Sequence, residues 1–226
     1  MKRVTGAIGL VLVFGTLISL EVLPARPSLA SWVSTNCHGG QANTLYVRRK
    51  DAKAYAEVAR REGYEWGGGC WNDNNRDDTP GQPDSSGEGP DCSGLVFKTW
   101  ALRNTPNDTG STWYDKLKSI HGNFVTTDYK YPVASDPFYR LPDKRRTTTQ
   151  YMDAFASDTH IAMLWTLAPP SDNTDYVMEA LGDAYGTNVF VESYRVDSRY
   201  VGTRRENWTP DCYPQCGSDQ ALVVLP

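Results

Sequence analysis

One cysteine of this sequence stands in a setting that suits a nucleophile. Cys92 lies in the stretch GPDCSGLVF, after a glycine-proline turn and before an apolar run. Asp91 is placed to cap a helix that begins at Cys92. The unpaired amides and positive dipole end of a helix N-terminus favour a thiolate, which is the nucleophilic form of cysteine. A buried structural cysteine fits the same position, so the position alone leaves both interpretations open.

A thiol nucleophile needs a base nearby, and the chain has three histidines: His38, His121 and His160. His38 lies in an irregular N-terminal region, and His121 lies in a loop-rich segment. His160 opens the first long β-like run, and a strand end that packs against a helix N-terminus can bring an imidazole to a thiol. We therefore expect His160 to be the base. The alternative is a hydrogen-bonded histidine at a strand edge.

The base in turn needs a group that fixes its tautomer and stabilises the imidazolium. Glu179 is the one charged residue of the apolar run YVMEAL, and a carboxylate in such a strand is costly unless it has a partner. His160 is the expected partner. The alternative is a glutamate that faces outward, since the side chains of a strand alternate between its two faces.

The elements that must position these residues indicate an α+β fold. The stretch 49–62 is rich in alanine and long charged side chains, which predicts a helix that ends at Gly63 in a left-handed cap. A second helix is predicted from Cys92 to about Arg103. Strand-length apolar runs follow at 160–168, 176–181 and 188–196. The gaps between them are too short for helical crossovers, so we expect an antiparallel sheet, with the helices before it in the chain.

Two polar segments carry weaker signals. Residues 71–90 form a polar loop that is too long for a simple connection. Its acidic cluster lacks the glycine and distal glutamate of a known calcium loop, so a solvated loop, or the rim of a substrate groove, is the favoured interpretation. The basic run DKRR at 143–146 is interpreted as a solvated turn.

The N-terminal residues predict that the protein is exported. Lys2 and Arg3 precede an apolar run at 7–20, and a small-residue cleavage site follows at Ala30, as in a secretory signal. The run is shorter than a membrane-spanning helix, which is the alternative, so no stable membrane insertion is expected after cleavage.

The charge of the mature chain argues against nucleic acid as a partner. Without residues 1–30, which hold three of the 23 basic and one of the 27 acidic side chains, the net charge is −6. A surface of this sign is a poor partner for polyanions.

The cysteine count also points to Cys92. The five cysteines are Cys37, Cys70, Cys92, Cys212 and Cys216. Export implies an oxidising compartment, and an odd count leaves at least one thiol unpaired. Four paired cysteines allow three connectivities. We favour Cys37–Cys70 with Cys212–Cys216, because each pair lies within one end of the chain, and this choice leaves Cys92 free.

The sequence resembles the NlpC-type family of cell-wall cysteine peptidases, a papain-like group. The resemblance runs from about Ala52 to Arg205 and is carried by these stretches in order: GYEWGGGC, DCSGLVFKTW, THIAMLW, YVMEAL and RYVGTRR. It implies a papain-like fold, with Cys92 as nucleophile, His160 as base and Glu179 where the family places a third polar residue, usually histidine, asparagine or glutamine.

The resemblance implies further roles. Tyr64, Asp91 and Ser93 match positions that in relatives line the pocket for the free amino end of a stem peptide. Asp153 matches the aspartate of a glycine-aspartate-leucine turn, which reads methionine-aspartate-alanine here. The loop at 71–90 is longer than the family's usual connection.

Three hypotheses follow for function. The first is a secreted or otherwise extracytoplasmic cysteine peptidase that hydrolyses amide bonds in peptidoglycan stem peptides, with peptidoglycan or muropeptides as its partner and no metal or cofactor. The second is an exported amidase, transferase or antibacterial effector with the same Cys-His machinery. The third is a non-catalytic wall-binding module. The sequence gives no indication of oligomeric state. The expected segments are a signal peptide at 1–30, an extension at 31–48, a peptidase domain at 49–206 and a tail at 207–226.

Overall fold

The computed structural model describes residues 47–71, 89–102 and 122–212. In chain order its elements are β1 (Val47–Arg48), α1 (Arg49–Val58), β2 (Gly69–Cys70), β3 (Gly89–Pro90), α2 (Cys92–Thr99), α3 (Thr126–Lys130), β4 (Phe138–Arg140), β5 (Ala154–Ala156), β6 (Ile161–Leu164), β7 (Asp175–Ala180), β8 (Thr187–Glu192), β9 (Val201–Arg205) and β10 (Trp208–Thr209). This is a mixed α+β structure with a mostly antiparallel sheet, as the sequence predicts. Among these helices, none combines the length and the apolar character that crossing a bilayer requires.

Several predicted features lie outside the described residues. They include His38, His121, Cys37, Cys216, the predicted signal at 1–30 and most of the polar loop. Their predictions stay predictions.

Within the described residues the main sheet has six strands, in the order β4-β9-β5-β6-β7-β8. Each neighbouring pair is antiparallel. Strands β6, β7 and β8 occupy the three predicted runs, although β6 and β8 are shorter than predicted. The chain leaves β8 after Glu192 because Ser193 begins a turn, in which its carbonyl accepts the N–H of Val196 at 3.1 Å. The short strands β4 and β5 are not predicted from the sequence.

Helix α1 follows the predicted pattern at its start. Alanine and long charged side chains favour the helical backbone, and the helix begins at Arg49. Its predicted inner face is buried: Ala52, Tyr55, Ala56 and Ala59.

The end of α1 corrects the prediction that Gly63 is its left-handed cap. The helix ends four residues early, and the left-handed residue is Arg61, with φ of 87°. Tertiary hydrogen bonds give the reason. The Arg61 N–H donates to the carbonyl of Thr187 at 2.8 Å, and the Thr187 N–H donates to the carbonyl of Glu62 at 2.8 Å. Pairing with the start of β8 therefore decides the chain reversal, against the local preference for glycine.

The glycine turn of YEWGGGC brings two distant segments into backbone contact. Strand β2 pairs with β3, so residues 69–70 lie beside residues 89–90. A Cβ atom on Gly68 would lie 2.2 Å from the carbonyl oxygen of Gly89. Gly89 itself has φ of +135°, which residues with side chains rarely adopt. Glycine at both positions therefore allows the turn to close over the start of α2.

Helix α2 lies between the other elements. All eight of its residues are buried, and it packs against α1, β6 and β7. It ends at Thr99, earlier than the predicted end near Arg103, because the chain turns at Ala101, where φ is 49°. The indole N–H of Trp100 donates to the carbonyl of Met152 at 2.9 Å and anchors this end of the helix. Its other end, at Cys92, is thereby held in place beside the sheet.

Candidate active site

Cys92 is a free cysteine at the first position of α2, as predicted. The residue is 8% exposed and therefore largely buried. The N–H groups of Cys92 and Ser93 donate to no other described residue. They point along the helix dipole, which favours a negative charge at this end. Cys212 is disulfide-bonded. Its predicted partner Cys216 is not among the described residues.

Asp91 caps the helix and ties it to the glycine turn. One carboxylate oxygen accepts the Gly94 N–H at 2.6 Å and the Ser93 hydroxyl at 3.0 Å. The other accepts the Gly67 N–H at 3.1 Å. Asp91 is 6% exposed, so its acceptor sites face the protein. The capping prediction is confirmed, and the side chains of Asp91 and Ser93 are hydrogen-bonded to each other.

His160 lies in the turn that connects β5 and β6, immediately before β6. The hydroxyl of Ser157 accepts the His160 N–H at 3.0 Å and donates to the His160 carbonyl at 3.0 Å. The Ser157 N–H donates to the same carbonyl at 2.8 Å. The ring therefore projects from a fixed backbone, and it lies close enough to Cys92 for the cysteine to raise the pKa of the imidazole.

Glu179 lies on the other side of the imidazole. It projects from β7, is fully buried, and its Oε2 lies 2.5 Å from Nε2 of His160. This contact leaves Nδ1 as the ring nitrogen available to Cys92. The structure thus brings together the three residues that the sequence analysis singles out, and Glu179 faces inward.

The contacts of His160 change its acidity. Burial lowers the pKa of the imidazole, but hydrogen bonds to Cys92 and Glu179, and the negative charges of both, outweigh burial and raise the pKa to about 9. The ring is then an imidazolium at neutral pH. An imidazolium beside a cysteine favours the nucleophilic thiolate form.

Tyr64 borders the thiol from the glycine turn. Its ring is partly buried and packs on the core. Burial raises the pKa of the Tyr64 hydroxyl, and the charges of Cys92 and Asp91 raise it further. Tyr64 therefore remains a neutral hydroxyl beside the site.

Two tyrosines at the site were missed by the sequence analysis. The hydroxyl of Tyr194 donates to Oε2 of Glu179 at 2.9 Å. Tyr129, from α3, is fully buried, and burial together with the charges of Asp91 and Cys92 raises the pKa of its hydroxyl. No spacing in the sequence links these residues to Cys92, because only the strand register and the packing of α3 bring them near.

Asp153 lies away from this site. Its carboxylate accepts from Arg49 at 2.9 Å and from Arg204 at 2.6 Å, and it accepts the Gln150 N–H at 2.7 Å. It is 1% exposed. The residue links α1, the β5 turn and β9, which is a structural role.

Comparison of the chain with protein-family models, with curated proteins and with solved structures finds no match. Across the described residues, no group of three or more His, Cys, Asp or Glu side chains is arranged to hold a metal ion.

Proposed function

We propose that the protein is a thiol hydrolase that cleaves amide bonds. One observation carries the proposal: a free cysteine at a helix N-terminus lies close enough to His160 to raise the pKa of its imidazole, and Nε2 of the same ring lies 2.5 Å from the buried carboxylate of Glu179. In this arrangement Cys92 is the nucleophile, His160 is the acid and base, and Glu179 orients the imidazole.

The reaction proceeds in two steps, acylation of Cys92 and then hydrolysis of the acyl-enzyme. The Cys92 thiolate adds to the scissile carbonyl, and the N–H groups at the start of α2 stabilise the oxyanion that forms. The carbon–nitrogen bond then breaks as His160 gives its proton to the departing amine, which leaves a thioester on Cys92. Water attacks the thioester while His160 takes a proton from it. The carbon–sulfur bond breaks, and the acid product and the thiolate–imidazolium pair are restored.

The proposed substrate is the stem peptide of peptidoglycan. The proposal rests on the resemblance to the NlpC-type family, including its papain-like fold, and on the predicted export signal at residues 1–30. In relatives, the positions of Tyr64, Asp91 and Ser93 receive the free amino end of the peptide. Here Asp91 already accepts three hydrogen bonds from the protein. We therefore propose that the hydroxyl of Tyr64 contributes more to substrate binding than the carboxylate of Asp91.

The decisive experiment is digestion of purified sacculi by the mature chain, followed by mass spectrometry of the soluble products. The expected result is release of muropeptides with cut stem peptides, and its loss in Cys92→Ala. Full lytic activity in Cys92→Ala would refute the proposal. Cleavage at the bond between sugar and peptide, or transfer to an acceptor, would support the amidase or transferase hypothesis instead.

A second experiment separates an enzyme from a wall-binding module. Cys92 is expected to react rapidly with iodoacetamide at neutral pH, because the imidazolium of His160 stabilises its thiolate. The matched control is His160→Gln, in which alkylation should slow by about tenfold or more. An inert Cys92 in the folded wild-type protein would favour the non-catalytic module.

A further inference from the structure

Tyr194 is held rigidly although it lies in a turn. It follows β8, and it is only 9% exposed. Its ring stacks on that of Tyr200, with the centroids 4.2 Å apart and the planes 24° from parallel. The ammonium group of Lys144 donates to the carbonyl of Tyr194 at 2.8 Å. Lys144 belongs to the basic run predicted as a solvated turn. That prediction is wrong for this residue, because its ammonium group hydrogen-bonds to the carbonyls of Tyr194 and Asp197 and so stabilises this loop.

The hydroxyl of Tyr194 and the ring of His160 converge on the same atom. Tyr194 donates to Oε2 of Glu179 at 2.9 Å, and Nε2 of His160 lies 2.5 Å from that oxygen. The other carboxylate oxygen, Oε1, has no hydrogen-bond partner among the described residues. The rings of Tyr194 and His160 also lie 5.8 Å apart. The orientation of the carboxylate is therefore defined by these two donors.

A fully buried carboxylate depends on its donors to remain charged. Burial raises the pKa of Tyr194, and the charge of Glu179 raises it further, so the tyrosine stays a hydrogen-bond donor across the working range of pH. With Tyr194 removed, His160 would be the one described donor left to Glu179. The carboxylate would then be free to rotate away from the ring.

We propose that Tyr194 is a positioning residue of this site, which holds the Glu179 carboxylate ionised and aimed at His160 and so favours the thiolate form of Cys92. This inference rests on the proposed function, and it extends the array of three residues to four. Tyr194 acts through Glu179 and does not touch the reacting atoms.

Other titratable groups lie near His160 and Tyr194 and contribute to the pH dependence of the site. Glu192, on β8, interacts electrostatically with both Glu179 and His160. Tyr200 stacks on Tyr194, and burial together with the charge of Glu179 raises the pKa of its hydroxyl, whereas Ser157 and Tyr194 lower it. Cys92 faces the ring from α2. Arg199 also lies near Tyr194, and its guanidinium is paired with Asp197 at 2.6 Å.

The test is Tyr194→Phe, which keeps the stacked ring and deletes the donor. The rate of Cys92 alkylation by iodoacetamide is measured against pH, which needs no knowledge of the substrate. The inflection at which the thiolate forms should move to higher pH by at least about half a unit, since an ionised Glu179 stabilises the imidazolium. On the proposed substrate, kcat/KM should fall about tenfold, mostly through kcat. Tyr176→Phe is the matched control: the same change on β7 at a residue 38% exposed, expected to leave the profile unchanged.

A double-mutant cycle checks that Tyr194 acts through Glu179. In a Glu179→Gln background, the added Tyr194→Phe change should shift the alkylation profile by less than about 0.2 pH unit. An unshifted profile in the single Tyr194→Phe variant, or an undiminished shift in the double variant, would overturn the inference. If the wild type cleaves no wall peptide, the proposed function fails, whereas the alkylation profile still decides the role of Tyr194.

Discussion

The carboxylate of Glu179 and the imidazole of His160 meet at 2.5 Å, although they come from different strands and are 19 residues apart. Glu179 is fully buried in β7, and His160 immediately precedes β6. A buried carboxylate is strongly destabilising without a partner. The contact therefore explains why a charged residue is tolerated in the middle of an otherwise apolar strand.

We predict that Glu179→Gln lowers kcat/KM by roughly ten- to a hundredfold, because the amide keeps the shape but cannot stabilise the imidazolium by charge. Steady-state hydrolysis at pH 7 measures the effect. Glu192→Gln is the control, since Glu192 lies nearby on β8 but makes no hydrogen bond to His160. An equal loss in both variants would show that total negative charge, and not the contact, is responsible.

A second prediction concerns the titration of His160. The pKa is raised to about 9 by hydrogen bonds and charges from Cys92 and Glu179, which outweigh burial. NMR of the imidazole should therefore show a protonated ring at pH 7 in the wild type. In Cys92→Ala the pKa should fall by about one unit or more, because one of the two raising partners is gone. An unchanged pKa in this variant would contradict the Cys92–His160 contact.

The same shift predicts how stability depends on pH. The folded protein holds the His160 proton more tightly than the unfolded chain does, where the ordinary value is 6.5. The contribution of this proton to stability is therefore fully present below about pH 6.5 and is lost as pH rises through about 9. Denaturant unfolding of the wild type and of His160→Gln between pH 6 and 10 should show a difference in free energy that shrinks as pH rises. A difference that grows with pH would contradict the sign.

Gly68→Ala should disrupt the site from outside it. The added methyl would lie 2.2 Å from the carbonyl oxygen of Gly89, so the turn that carries Gly67 must shift. We expect a loss of about 2 kcal/mol in the free energy of unfolding and a marked loss of activity. Gly182→Ala is the control, since its φ of +128° makes the change strained but nothing lies within 4 Å of the new methyl. Thermal unfolding and sacculus digestion of both variants would check this.

The cap of α2 gives a fifth prediction. Asp91→Ala should cost about 1–2 kcal/mol of stability and should also reduce kcat/KM, because the carboxylate fixes both the start of α2 and the glycine turn. Asp128→Ala removes a comparable contact, to the Val125 N–H at the start of α3, and should cost stability alone. Normal activity in a folded Asp91→Ala variant would show that the position of the cap does not control the site.

The local pattern around Cys92 predicted the start of α2 correctly, because a capping aspartate and an unpaired helix end are short-range features. Strand β5 was missed because AFA is short and its alanines have little strand preference. It becomes a strand since β6 and β9 hydrogen-bond to its two edges. The end of α1 was misplaced for a similar reason, as the pairing of Arg61 with Thr187 overrides the local glycine signal.

The residues available for thiol chemistry, and the start of the helix that presents Cys92, can both be read from the sequence alone, since they follow from neighbours within a few positions. The inward orientation of Glu179 toward His160, and the contact of Tyr194 with the same carboxylate oxygen, depend on the three-dimensional packing. Strand faces alternate at every residue, so a register shift of one position would turn Glu179 to the opposite face. That register is set by hydrogen bonds between segments far apart in the chain, such as the pairing of Met163 with Met178.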